Sequence, residues 1–378
     1  MQINYPYGVI SDVHFHAWTF GSYTTTNGVN SRLEDTIKEF KRACYEVRKA
    51  GGNDIVVTGD LFHTRGEIQP TVNNPVYDMF VELSEDSFDF HVLPGNHDLE
   101  TDETTEHGCV FKAFSSIRGF NTYYKPTIVP IGDYGRGEYA IIIPWMTDRI
   151  YEAIQKEKNT KFDHRTFTLF GHAGLNDVLT GVKGSVTAID IHNLGMRNAF
   201  FGHYHNHKHF SLDDGTRQSD VYSVGALTHQ SFKDVGSTAG FIVVHSLENV
   251  RFHNSEAPEF INFDHDDWMR TSGLDPRKFT NNYVRMNFAS KTASLSKGEI
   301  LAIKSSLQAV GSLRVINQIP IDTDMDLMRT EGAAVYTFGR TGAKSLGEEF
   351  TKYVQSRYEK DMADKMLKVF EKDGIDES

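Results

Sequence analysis

Tyr7-Gly8-Val9-Ile10-Ser11-Asp12-Val13-His14 decides how the rest of the chain is read: an apolar run of strand character that ends on an aspartate and a histidine. The pattern returns four times. Ile55 to Gly59 leads into Asp60 and His63, and His91 to Gly95 leads into Asn96, His97 and Asp98. Phe167 to Gly171 leads into His172, and Ala199 to Gly202 leads into His203 and His205. In open α/β sheets ligands bind beyond the carboxyl ends of the strands, so five strand ends carrying Asp, Asn and His describe one convergent site. Any one of these motifs alone reads equally well as a loop cap; in order and flanked by glycine, they point to a metal cage.

The donors are carboxylate, amide and imidazole with no thiolate, a set that favours manganese, iron, magnesium or catalytic zinc over a structural thiolate site. Asp12 with His14, and His203 with His205, stand two apart, which in an extended segment puts both side chains on one face. Asp12, His14, Asp60, Asn96, His172, His203 and His205 are too many for one ion. They suit two ions sharing a carboxylate, the arrangement that clamps the attacking and leaving oxygens of a phosphate ester. Gly59, Gly95, Gly171 and Gly202 are expected to let the backbone turn sharply just before each ligand.

The chain has 378 residues, enough for two or three domains. Its N-terminus, MQINYPYGVISDVHF, has neither a basic start nor an apolar signal core, and no stretch approaches a membrane span, so a cytosolic location is expected. Cys44 and Cys109 form no spaced pair, which argues against a disulfide framework. Net charge is −12, which taken alone argues against a general nucleic-acid binder. One segment departs from that average. Between Pro276 and Pro320 the basic residues are Arg277, Lys278, Arg285, Lys291, Lys297, Lys304 and Arg314 against the single acid Glu299, which reads either as a solvated face or as a phosphate-facing surface.

Strand and helix units alternate through the first hundred residues. Ser31 and Glu34 read as a capping box ahead of Leu33, Ile37, Phe40, Cys44 and Val47 at helical spacing, with Gly51-Gly52 as the stop. Pro75 is expected to open a second helix with Val76, Met79, Phe80 and Leu83 on one face, and Val110, Phe111, Phe114 and Ile117 predict a third. Further strands are expected at Tyr139 to Ile143, Phe167 to Phe170, Ala199 to Phe201, Val221 to Val224 and Phe241 to Val244. Few long helical patterns separate them, which predicts antiparallel pairings there. The fold class is α/β (α+β): two packed sheets flanked by helices, with a catalytic domain over 1–265. A small α+β domain is expected over 276–340, with strands at Tyr283 to Phe288 and Leu313 to Ile319 and a helix from Lys297 to Val310. An amphipathic C-terminal helix is expected over 344–373.

With those motifs in place, SDVH, GDLFH, GNHD, the isolated Gly171-His172 and GHYH, the chain resembles the calcineurin-like metallophosphoesterases. Within them it resembles the SbcD-type nuclease subunits, bacterial and phage relatives of the Mre-type DNA-repair nucleases. GDLFHTRG carries His63 where the superfamily's protein phosphatases usually have Asp-Arg, and GNHD stands where they have GNHE. Ile143-Pro144-Trp145-Met146 and Ser231-Phe232 are also similar to phage members, whereas Phe15-His16 departs from the usual Leu-Gly. His16 is read as a loop histidine, with a substrate contact as the other reading.

The resemblance implies a two-sheet catalytic domain with a capping domain. It implies a first metal on Asp12, His14, Asp60 and His205, and a second on Asp60, Asn96, His172 and His203, with manganese favoured and magnesium as the alternative. His97 would be the catalytic histidine, Asp98 its orienting carboxylate, and His63 a residue that places the DNA strand. The implied activity is double-strand exonuclease and single-strand endonuclease action in DNA end processing. Implied partners are DNA, an SMC-like (SbcC-type) ATPase and a second copy of the chain, with Pro75 to Leu83 and Val110 to Ile117 as the expected dimer contacts. Gly339 to Ser345 has Ala343 where a nucleotide-binding loop needs glycine, so ATP chemistry is expected from the ATPase. The competing enzyme class is a phosphatase or phosphodiesterase acting on a small molecule or phosphoprotein with the same metals.

Overall fold

The computed structural model describes residues 1–132, 137–147, 149–159, 166–178, 186–264, 279–287, 296–309 and 312–318. The helix expected over 344–373 lies outside them, as do Arg277, Lys278 and Lys291. The first sheet orders β12-β11-β1-β2-β3-β4, from Tyr7–Ile10 (β1), Asp54–Thr58 (β2), Asp89–Leu93 (β3), Phe120–Thr122 (β4), Gly240–Ser246 (β11) and Asn249–Asn254 (β12). β1 to β4 run parallel, while β11 returns antiparallel to β1. The second sheet orders β5-β6-β7-β8-β10-β9, from Thr127–Pro130 (β5), Glu138–Ile143 (β6), Thr166–His172 (β7), Asn198–Gly202 (β8), Lys208–Asp213 (β9) and Gln218–Ser223 (β10). The antiparallel pairings expected here are confined to its edges, β5 with β6 and β9 with β10. Its centre is parallel, because short helices, Ile150–Asn159 (α3) and Ala188–Asn193 (α4), supply the crossovers that the sequence pattern concealed.

Apolar faces explain the layering. Tyr7, Val9 and Val56 of the first sheet pack against Ala140, Ile142, Phe170 and Phe200 of the second, and the Tyr7 and Phe170 rings meet edge to face at 5.9 Å. Helices Ser31–Lys49 (α1) and Pro70–Glu85 (α2) cover the other face of the first sheet. The cap of α1 is Asn30 rather than Ser31: its side-chain Oδ1 accepts from the Arg32 and Leu33 amides at 3.0 and 3.2 Å. Pro70 opens α2 and Pro75 lies inside it, a position that forgoes one backbone bond but leaves Val76, Met79, Phe80 and Leu83 on the core face. The third helix is reduced to a short 3₁₀ turn, Lys112–Ser116. Phe80 and Phe114 meet edge to face at 5.8 Å, so the apolar faces of these two segments serve the chain's own core.

A third sheet orders Phe260–Asp264 (β13), Tyr283–Asn287 (β14) and Arg314–Gln318 (β15), all parallel, with helix Lys297–Ala309 (α5). Its last two strands and helix occupy the segments expected from the sequence; β13 joins them from upstream of residue 276. Among the described residues no helix is long and apolar enough to cross a membrane.

Candidate metal centre

The carboxyl ends of β1, β2, β3, β7 and β8 open at one edge where the two sheets meet. The contact is tight enough to require glycine: a Cβ on Gly95 would stand 2.2 Å from Asp60 Oδ1, and one on Gly59 would stand 2.3 Å from His172 Nδ1. Close approach rather than turning explains Gly95, which has an extended backbone at φ −90°. Gly59, at φ 93°, does make the turn expected of it, and left-handed conformations fall also on the site residues themselves, Asp12 (φ 47°), His14 (φ 49°), Asp60 (φ 52°) and His203 (φ 107°). Asp12 and His14 therefore converge through a folded-back loop, with amides bonded to the Gly59 and Asp60 carbonyls at 3.1 and 3.0 Å, and not by alternation along a strand.

Three groups of side chains gather there with possible ligand atoms within 4.8 Å of one another: Asp12, His14 and His205; Asp60, His172 and His203; and His14, His63 and His97. Asn96 joins the second group, its Oδ1 lying 3.2 Å from His172 Nε2 and 3.1 Å from His203 Nδ1. Asp60 stands between the first two, with Oδ2 3.6 Å from His14 Nε2 and 3.5 Å from His172 Nε2. Its carboxylate is thus within reach of both groups.

Divalent cations fit these residues. Asp12 and Asp60 are buried, and no Lys or Arg among the described residues pairs with either; Asp12 accepts from Ser11 Oγ at 2.6 Å, and the cationic partners within reach of the two carboxylates are histidines. His14 Nε2 is buried without a hydrogen-bond partner, aimed at both carboxylates. His172 donates Nδ1–H to the Thr58 carbonyl at 2.8 Å, which leaves Nε2 facing the site. Burial disfavours a charged His172, but Asp60 outweighs it and raises the imidazole to about 9. His203 goes the other way, lowered to about 4 by burial and by His172.

His205 is oriented by Asp234, whose Oδ1 lies 3.0 Å from its Nδ1. Sequence reasoning missed Asp234; a Ser231-x-x-Asp234 capping box was the only local signal, and the structure forms that box. Trp145 was noted without a role and proves to pack its ring 5.2 Å from His203 and 5.9 Å from His172.

His97 sits beside the ligand set and donates Nδ1–H to the His63 carbonyl at 2.5 Å, while its amide bonds Asp60 Oδ1 at 2.8 Å. Asp98 does not orient it. The Asp98 carboxylate, fully buried, accepts from the Phe62, Gly95 and Leu61 amides at 2.9, 2.9 and 3.2 Å and so ties the GNHD turn to the GDLFH loop. Burial and the nearby Asp60 raise that carboxyl to about 7 against the pull of these three amides. His63 stacks on His97 with centroids 5.4 Å apart, and its Nδ1 lies 3.3 Å from His14 Nδ1. His16 is a ring neighbour of His63 at 4.9 Å.

The sequence matches the calcineurin-like phosphoesterase profile over residues 5–207, more than half of the chain and every one of the five strand-end motifs. The chain belongs to the calcineurin-like phosphoesterase family. As in that family, the two-sheet α/β sandwich carries a metal-dependent phosphoester hydrolase site, and the two Asp/His clusters suit a pair of divalent ions. Among solved structures, a dimetal phosphatase from Danio rerio is similar at 10% identity and a TM-score of 0.40, covering 66% of this chain and 95% of that one. The search of curated proteins returned no match.

Proposed function

We propose that this phosphoesterase is a DNA nuclease subunit of the SbcD type, acting as an exonuclease on duplex ends and an endonuclease on single strands. His63 carries the reading. It replaces the Asp-Arg usual in the superfamily's protein phosphatases, and its half-exposed ring stands beside His97 at the mouth of the metal centre, where a polynucleotide strand would pass. Burial and the neighbouring His16 and His97 lower its imidazole to about 4.

Bound divalent ions, manganese in this reading, supply Lewis-acid polarisation of the phosphoryl oxygens and a more acidic water. Asp12, His14 and His205 would hold one and Asn96, His172 and His203 the other, with Asp60 between them. The Nδ1 bond to the His63 carbonyl fixes the His97 ring, so that a proton on Nε2 reaches the departing 3′ oxygen or steadies its charge. The third sheet and 344–373 extend the reading: the first as a DNA-facing cap, the second as a dock for an SMC-like ATPase, with the chain as a homodimer. Not every basic residue of the cap is free for phosphate. Arg285 packs its guanidinium 4.5 Å over Phe232 and bonds Asn262 at 2.8 Å, which makes half-buried Lys304 the better contact of the two.

The test is one substrate panel: end-labelled duplex and single-stranded DNA, p-nitrophenyl phosphate and a phosphopeptide, each with manganese, magnesium or chelator. Manganese-dependent DNA cutting is expected. Release of phosphate from the peptide with the DNA intact would make the protein a phosphatase.

A further inference from the structure

Four rings neighbour His63: His14 at 5.2 Å, His97 at 5.4 Å, His16 at 4.9 Å and, nearest of these, Trp18 at 4.5 Å. Trp18 lies in the loop between β1 and α1. Its carbonyl accepts from Ser22 Oγ and, at 2.9 Å, from Asn30 Nδ2, so the residue that caps α1 also pins the Trp18 turn. Asn30 thereby sets where the indole stands.

The indole rests in turn on Arg32, whose guanidinium is 5.0 Å from the ring centroid. Arg32 is only 6% exposed, and no carboxylate among the described residues forms an ion pair with it. Its charge is met by the Phe20 and Gln230 carbonyls, at 3.1 and 2.6 Å, and by the faces of Trp18, Phe260 and Tyr283. A buried cation held this way is costly to move, because carbonyl dipoles and ring faces stabilise it only in one arrangement. Phe260 and Tyr283 belong to β13 and β14 of the third sheet. Gln230 donates Nε2–H to the Asp12 carbonyl at 3.2 Å. The loop also presses directly on that sheet: a Cβ on Gly21 would stand 2.6 Å from the Tyr283 ring.

One column therefore runs from the third sheet through Arg32 and Trp18 to His63 and His97. We propose that Trp18 is a positioning residue for His63, and that Arg32 transmits the position of the third sheet to it through the indole. Whatever binds the third sheet then sets how well His63 is placed at the metal centre. This rests on the role given above to His63 in phosphodiester cleavage, and does not require the diester to be DNA.

The experiment uses the full chain loaded with manganese, with bis(p-nitrophenyl) phosphate and end-labelled duplex DNA as substrates. Trp18→Ala should lower kcat about tenfold, as a small misplacement at a reacting centre does, with metal content and KM near those of the parent. Trp18→Phe should restore most of the loss, and Arg32→Met should repeat the Trp18→Ala pattern. The deciding measurement is the cycle with His63→Ala: in that background Trp18→Ala should cost nothing more, because its effect passes through the missing ring. Losses that multiply in the double variant, or metal loss in Trp18→Phe, would overturn the proposal. If Trp18→Ala does not fold, Trp18→His takes its place in the same cycle. A chain that cleaves the diester and spares DNA defeats the nuclease reading alone, and the cycle is then read on the diester.

Discussion

His205 Nδ1 and the Asp234 carboxylate lie 3.0 Å apart, which fixes the ring so that its other nitrogen is the one turned toward Asp12 and His14. Asp234 also accepts the Gln230 and Ser231 amides at 2.9 and 2.8 Å, so the carboxylate is itself held rigidly. Partners of this kind commonly contribute about 10–100-fold in metal affinity. Asp234→Ala should weaken binding at one of the two sites by that factor in calorimetric titration with manganese. An unchanged isotherm would mean that His205 is not a ligand.

His97 should behave unlike the ligands. Its hydrogen bonds run to the His63 carbonyl and, through its amide, to Asp60, so His97→Ala removes a proton donor without removing a member of either Asp-containing cluster. Turnover should fall roughly 10²-fold or more with metal content unchanged. Collapse of metal content in elemental analysis would make it a ligand instead.

A pH effect is expected far from the centre, at Asp220 in β10. Burial works against its charge, but hydrogen bonds from Arg197 at 2.6 Å and His209 at 2.9 Å prevail and hold the carboxyl below its ordinary value. A carboxylate lowered in the folded state contributes stability above its unfolded pKa of about 4, and that contribution disappears as pH falls through the folded value. Asp220→Asn should therefore cost about 1–3 kcal/mol at pH 7, and its deficit against the parent should shrink below about pH 4. Urea titrations at both pH values measure it; a deficit that grows in acid would refute the assignment.

The convergence of these residues was legible because each ligand-type residue lies at or shortly beyond the carboxyl end of a strand, and the strands' apolar runs are plain in the sequence. What failed did so for local physical reasons. Adjacent residues on a 3₁₀ turn point about a third of a turn apart, so Asp98, next to His97, reaches the Leu61 and Phe62 amides instead of the imidazole. Asn30 and Ser31 are both capping residues, and only the backbone decides that Asn30 takes the role. Asp234, Trp18 and Arg32 act through contacts made across the fold, which no spacing records. Parallel pairing in the second sheet was obscured because α4 spans only six residues, too few for a visible helical period.

The account turns on Asp60 as the carboxylate shared by two ions, and metal stoichiometry tests it most directly. Elemental analysis of the purified chain after manganese loading and desalting should give two ions per parent chain and none tightly held by Asp60→Ala, with phosphoester turnover abolished in the variant. Two tightly bound ions retained by Asp60→Ala would contradict the shared-carboxylate centre.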